Sequence, residues 1–444
     1  MKRTLLLFYI TIFTITSAFG ETLTLERARL LALANSRSLA RYELAIRSSI
    51  LDERNQLFSM LPSLSAGYTA SMYYLQNWEF VNPVDTFTAG ANFSITQVIF
   101  QGGRNFIQRA ISAISTESVR KDALAEYFNV LNTIDNAFYA ALEAAATLES
   151  EETSLEAAVL KLSIAEIRHE SGMISHGEFL RAMAEKEARE NSRNVARRNL
   201  TLAKTRLKIL TGLLEISALE QIDFSIYDDV LMRFAGISDE DANMLFSELW
   251  KLMELSNPSL AKSALNNQRA EQNLSLTRRD HAPTVTASIF ATGFNYSTAN
   301  GFNTTGSGGL SLRGSIPVDF WVMNNRIERS RISRDMAALD FVNLQISLEM
   351  DLQTALLNAF AQAGSVLSSR RSLEYTERHF EYISERYRLL QRSVSDMVDA
   401  SNLFINSRNN HIRASYGFLQ SLSRLRSLGA ISDEAELLRI LLGN

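Results

Sequence analysis

"SLSAGYTASMYY", residues 63–74, decides what kind of fold this chain adopts. Leu64, Ala66, Tyr68, Ala70, Met72 and Tyr74 alternate with Ser63, Ser65, Gly67, Thr69, Ser71 and Tyr73. Such alternation marks a strand with one apolar and one polar face. Residues 87–96 repeat it, with Phe87, Ala89, Ala91, Phe93 and Ile95 set between small polar residues. It returns downstream in Val285, Ala287, Ile289 and Ala291, then in Leu310, Leu312, Ile316 and Val318. Polar stretches, "LQNWEFVNPVDT" (75–86) and "NYSTANGFNTTGSGG" (295–309), join the members of each pair. The pattern predicts two hairpins, at about 62–100 and 283–319.

The hairpins recur because the chain is written twice. "SRSLARYEL" (36–44) matches "NPSLAKSAL" (257–265), and Pro62 of "LPSLSA" matches Pro283 of "APTVTA". "NAFYA" at Asn136 matches "NAFAQ" at Asn358, and "RLKILTG" at Arg206 matches "RLRSLG" at Arg424. A nearly constant offset held over four separate segments indicates two tandem structural repeats. Their expected extents are 21–236 and 237–444.

Each repeat opens with a helical stretch, 24–60 and 238–281, where Thr or Ser precedes acidic residues as an N-cap does. After each hairpin comes a long region free of proline: none lies between Pro83 and Pro258, and none after Pro317. Leu155, Ala158, Leu162 and Ala165, then Leu200, Ala203, Leu207 and Leu210, form coiled-coil seams. A helix over about 103–170 would be on the order of 100 Å long. That length suits a protein that reaches across a space.

Composition restricts the function classes. The 444 residues are 46% hydrophobic and 21% charged, with a net charge of −4. A nucleic-acid partner is excluded, because it calls for a dense basic surface. Residues 1–20 carry Lys2 and Arg3, an apolar run from Leu5 to about Thr14, and then Ala18 and Gly20. This is the pattern of a secretory signal peptide. With no cysteine in the chain, lipoprotein anchoring and disulfides are both excluded. No later stretch approaches the roughly 18–20 apolar residues of a membrane helix. If the mature chain enters a membrane, it does so as strands, and four strands cannot close a barrel alone.

These features carry a resemblance. The doubled chain, the opening "TLERARLLALANSRSL" (24–39), "LPSLSA" (61–66), the strand end "ITQVIFQGGRN" (95–105) and the later tyrosine, glycine and aspartate spacing are similar to the TolC-type outer membrane efflux and secretion channel family. The resemblance covers nearly all of the mature chain. It implies a mainly α protein with a membrane β part, in which a homotrimer shares one twelve-stranded barrel and extends a helical tunnel into the periplasm. It implies a passive exit duct for a tripartite efflux pump or type I secretion system, with no enzymatic activity and no cofactor. The implied partners are outer membrane lipid, a periplasmic adaptor (membrane fusion) protein and an inner-membrane transporter of RND or ABC type. The competing reading is a periplasmic coiled-coil adaptor or structural scaffold. "QGGRN" resembles the family's strand-to-helix corner; its second copy, "DFWVMNNRI" (319–327), lacks both glycines, although Asn325 is able to adopt left-handed geometry.

The last stretch to place is "RHESGMISHGEFL" (168–180), whose counterpart in the second repeat is "RYRLLQRSVSDMV" (386–398). His169 corresponds to Tyr387, Gly172 to Leu390, Ser175 to Ser393 and Glu178 to Asp396. Neither His169 nor His176 is reproduced, their spacing is not that of a helical metal pair, and no metal site is expected. His281, His379 and His411 are scattered, so no catalytic set is expected either. Both copies read as helix-reversing tips, near 172 and 390. The resemblance makes Gly172, Met173, Ile174 and Ser175 an adaptor-docking turn, and Tyr387, Arg392, Asp396 and Asp399 a periplasmic gate. Asp396 and Asp399 share a helix face and in a trimer would form stacked carboxylate rings that bind cations. Arg392 is expected to pair with Glu178 of the first tip, with Tyr387 adding a hydrogen bond.

Overall fold

The computed structural model describes residues 22–75, 84–297, 301–303, 307–389 and 391–442. Residues 1–20, where a signal peptide is expected, most of the first hairpin loop and Leu390 lie outside them. The opening helical stretch of each repeat is split in two, α1 (Leu25–Asn35) and α2 (Arg37–Phe58) in the first. The breaks fall at Ser36 and Asn257, which are equivalent positions of the two repeats, and each side chain caps the helix that follows by accepting a backbone N–H. Strands β1 (Ser63–Leu75) and β2 (Val84–Phe100) come next, then the 67-residue α3 (Arg104–Glu170) and α4 (His176–Thr211).

A 3₁₀ turn and α5 (Asp228–Ala235) lead into the second repeat. It comprises α6 (Asp239–Ser256), α7 (Pro258–Arg278), β3 (Thr284–Ser297), β4 (Gly301–Asn303), β5 (Ser307–Ser315), α8 (Phe320–Arg388), α9 (Val394–Leu428) and α10 (Glu434–Leu442). Among the described residues no helix is long and apolar enough to cross a membrane.

The sheet runs β1-β2-β3 with β4 and β5 both pairing on the far side of β3, all antiparallel. Its register sets like against like. Leu64 faces Ile95, Ala66 faces Phe93 and Tyr68 faces Ala91, while Ser65 faces Ser94 with their hydroxyls 2.6 Å apart. Ile289 continues the apolar row opposite Ile95 and Leu310. Leu64, Tyr68, Met72, Leu310 and Leu312 are all exposed in the single chain, so this apolar face needs an apolar medium. Phe290, on the face it shares with Ser94 and Thr286, occupies the space where Gly309 lacks a side chain.

At the corner after β2, Gly102 and Gly103 have φ of 64° and 73°. A Cβ on Gly102 would collide with that of Ala282, so only glycine fits. The second corner is solved differently. Asn325 sits inside α8, and the left-handed conformation foreseen for it is absent; Ala430 is the only described non-glycine residue with positive φ.

Helices α2, α3, α7 and α8 pack side by side in that order, and toward the tips α3 packs on α4 and α9, and α8 on α9. The side chains form two separate cores. The larger joins all the helices except α2, around Phe138, Phe234 and Phe418. The smaller lies at the tips: Ala165, Ala182, Ile383, Tyr387, Val394, Met397, Val398 and Ala400.

Candidate functional site: the paired helical tips

The two tips are built from one local design. In the first, Gly172 takes φ 71°, Met173 N–H donates to Arg168 O (2.8 Å), and Ser175 caps α4. In the second, Gln391 N–H donates to Arg386 O (2.9 Å) and Ser393 caps α9, each at the equivalent position of its repeat. Glu178 and Asp396 complete these caps as reciprocal capping boxes, their carboxylates accepting from the Ser175 and Ser393 backbone N–H groups at 3.2 and 3.3 Å. Local capping chemistry therefore occupies the two acids that the sequence comparison pairs. Met173 is exposed and Ile174 half-buried against the tip core.

The expected gate residues lie together at this end with partners of their own. Arg392, in the turn before α9, reaches toward Asp396 of that helix (3.8 Å) rather than Glu178, although Arg392, Glu178 and Arg168 line one open cleft between the tips. Asp399 pairs with Arg181 of α4 at 2.7 Å. Tyr387 is 3% exposed and its hydroxyl has no hydrogen-bond partner, so in this conformation it makes no gate link through that group. Burial pushes the Tyr387 phenol up, Arg168 opposes that and Glu178 adds to it. Arg168 instead covers the Tyr387 ring (4.3 Å to the centroid) and donates to its carbonyl oxygen (3.0 Å).

Sequence reasoning missed Arg168 and Arg181. Their acceptors belong to the other repeat, and only the offset between the repeats could have suggested that facing positions meet.

A second missed feature lies between the two cores, where α3, α4 and α9 bury a polar seam. Lys161 is 8% exposed, its ammonium has no hydrogen-bond partner, and it lies 5.6 Å from the Phe380 ring centroid. Arg189 donates to Glu185 (2.7 Å) and to Asn402, and stands 3.9 Å from Glu151, which accepts from Asn409 (2.7 Å). Ser150, Ser154, Arg193 and Asn409 each keep one buried polar atom unpaired. An unpaired buried group costs about 1–3 kcal/mol, so this stretch of the helical packing is assembled at a cost. Lys161 and Tyr387 line the same small cavity at its lower end.

Among the described residues no cluster of three or more His, Cys, Asp or Glu side chains is arranged to hold a metal ion.

Comparison with known proteins places these features in context. A family model described as outer membrane efflux protein matches residues 29–213 and 249–430, one segment in each repeat. The outer membrane protein TolC of Escherichia coli (strain K12) is 21% identical over 422 residues, covering 89% of this chain and 80% of that protein. The fold is shared with the Campylobacter jejuni CmeC outer membrane channel (TM-score 0.75, 16% identity, 94% of this chain and 89% of that one). It is shared too with the open state of the Neisseria gonorrhoeae MtrE outer membrane channel (TM-score 0.67, 15% identity, 91% and 88%).

Proposed function

Since the chain belongs to the outer membrane efflux protein family, we propose that three copies form the exit duct of a tripartite efflux pump or type I secretion system, gated at the periplasmic tips. Members of this family are outer membrane channels that extend into the periplasm, and they are not enzymes. The competing reading as a periplasmic adaptor or scaffold falls with that assignment. An adaptor and an inner-membrane transporter are the proposed partners, with Gly172, Met173, Ile174 and Ser175 as the adaptor-docking turn.

One observation carries the assembly: the two lateral edges of the chain are unfinished in the same sense at every level. β1 and β5 end the sheet, and α2 and α8 end the row of helices. Exposed apolar residues run down both helical edges at heptad spacing, Leu44, Leu51 and Phe58 on α2, and Ile332, Leu339 and Ile346 on α8. Joining the β5/α8 edge of one copy to the β1/α2 edge of the next continues both layers head to tail, and such a contact closes as a ring of three when each copy is turned by a third of the circle. β4 and β5 pair with successive stretches of β3 and count as one strand position, so each copy offers four and a trimer twelve, which satisfies every edge in lipid. Leu339→Asp with Ile346→Asp is expected to abolish the trimer, since each lost burial removes about 1.5–3 kcal/mol per interface and each carboxylate adds a desolvation penalty. Sizing of the detergent-extracted protein checks this; an intact trimer in the double variant contradicts the arrangement.

Opening is proposed as a slide of the α8–α9 pair over α3–α4 along the polar seam, breaking the Arg181–Asp399 and Arg168–Tyr387 links between the pairs. A polar seam supports this reading because its contacts exchange for water at little loss, whereas an apolar core resists displacement. Asp396 and Asp399, brought near the threefold axis, are the proposed cation-binding constriction. In planar bilayers, divalent cations are expected to block the wild-type pore, and Asp396→Ala with Asp399→Ala to relieve the block and raise conductance. Unchanged block and conductance in that variant refute the gate.

A further inference from the structure

The two histidines that sequence spacing separates are brought into contact by the first tip. His169 lies in the last turn of α3 and His176 opens α4, and the intervening turn sets their ring centroids 5.3 Å apart. His169 Nε2 and His176 Nδ1 are separated by 3.4 Å. A tetrahedral dication with metal–nitrogen bonds of about 2.0–2.1 Å holds two ligand nitrogens about 3.3–3.4 Å apart, so the pair already stands at a chelating separation.

Two further contacts prepare His169 as a ligand. Its Nδ1 lies 3.4 Å from Ile174 O. An N–H directed at that carbonyl leaves the lone pair on Nε2, the arrangement by which a backbone carbonyl fixes the tautomer of a metal-binding imidazole. Phe179 stacks on the ring, with centroids 5.1 Å apart and planes 8° from parallel, and so holds its orientation. Ion access is open, because His176 is exposed. Glu178 is committed to the capping box, which leaves water to complete the coordination.

We propose that His169 and His176 form a two-histidine site for a transition-metal dication of the Zn²⁺, Ni²⁺ or Cu²⁺ class, one per chain at the first tip. Imidazole nitrogen selects these ions over Mg²⁺ and Ca²⁺, which favour oxygen donors. The repeat counterparts of the two histidines are Tyr387 and Val394, so the second tip has no such site. An ion held here ties α3 to α4 across the turn and stabilises the tip by binding the folded state alone.

The test uses the full-length chain in detergent. Wild type is titrated with Zn²⁺ and Ni²⁺ by calorimetry, and with Cu²⁺ by electron paramagnetic resonance, beside His169→Ala/His176→Ala and each single His→Gln variant. His281, His379 and His411 remain in every variant, so the difference isolates the tip. The expected result is one more ion per chain in the wild type than in the variants, with copper hyperfine structure from two nitrogens, loss of that site in all three variants, and a Mg²⁺ response that is the same in wild type and variants because carboxylates, not imidazoles, take that ion. The double variant is expected to assemble and to transport as wild type without added metal. Equal uptake in wild type and variants, or wild-type copper showing the nitrogen pattern of the double variant, overturns the site while leaving the channel assignment untouched.

Discussion

Replacing Asp135 with alanine is expected to lower the stability of the folded chain by about 3–5 kcal/mol, the scale for breaking a buried ion pair from one side. Asp135 is 0% exposed and accepts from Arg29 Nε (2.7 Å) and Nη2 (3.1 Å), from Ser423 Oγ (2.8 Å) and from Arg426 Nη2. Arg426 is itself 2% exposed, and among the described residues its one other acid is Glu434 at 4.0 Å. Without Asp135 a guanidinium therefore stays buried with little compensation. The loss spreads because these groups tie five segments together: α1 through Arg29, α3 through Asp135, α9 through Arg426, α10 through Glu434, and the 3₁₀ turn through Tyr227, whose hydroxyl donates to Glu434 at 2.5 Å. Asp135→Asn keeps the shape and loses the charge, so a smaller loss is expected from it. Thermal dissociation and unfolding of the purified protein measure both, and an alanine variant as stable as wild type would show that the network contributes nothing net.

Lys161→Met is expected to act in the opposite direction, stabilising the described arrangement of α3, α4 and α9 by about 3 kcal/mol at neutral pH, the free-energy equivalent of the pKa displacement of its ammonium. Burial lowers the Lys161 ammonium from its ordinary 10.5 to about 8, with Glu185 pulling it back up and Arg189 pushing it further down. The folded state releases this proton at about pH 8, while the unfolded chain keeps it until about 10.5. Between those values the unfolded state binds more protons, so stability rises with pH across the window, and the penalty is fully present below pH 8. The Tyr387 phenol, pushed up by burial, contributes the opposite slope only above about pH 10. Methionine fills the same space beside Phe380 and removes the charge, so the variant melts higher at pH 7 and loses the rise between pH 8 and 10. If the seam is where the tips slide, its pores also open less often. A variant with wild-type melting and an unchanged pH slope would show that Lys161 is solvated in the folded protein.

The elements legible in the sequence are those governed by short-range periodicity. Residues 63–74 have period two, and the register in the sheet keeps the apolar row of Leu64, Ala66 and Tyr68 intact because a slip of one residue would turn it to the other face. The constant offset between the repeats anticipates that Ser175 and Ser393 stand at equivalent positions, since a capping box is a local motif that each copy completes on its own. The glycine corner at Gly102 is visible for the same reason. The corner before α8 is not, because Asn325 lies within α8, where intrahelical hydrogen bonding governs the backbone.

What the sequence determined by itself was the doubled plan, the strand faces, the long helices and the place where each helix pair reverses, all consequences of local spacing and capping. What only the tertiary structure decided was partnership. Asp399 meets Arg181, Arg168 covers Tyr387, Asp135 gathers two arginines, and His169 meets His176 despite a spacing that argues against it. Each of these depends on which helix faces which and at what axial position, and that is set by packing two cores on either side of a polar seam. Charged side chains lack the periodic signature of an apolar seam. Their meetings are fixed by how long helices stack, a property no single stretch of the chain contains.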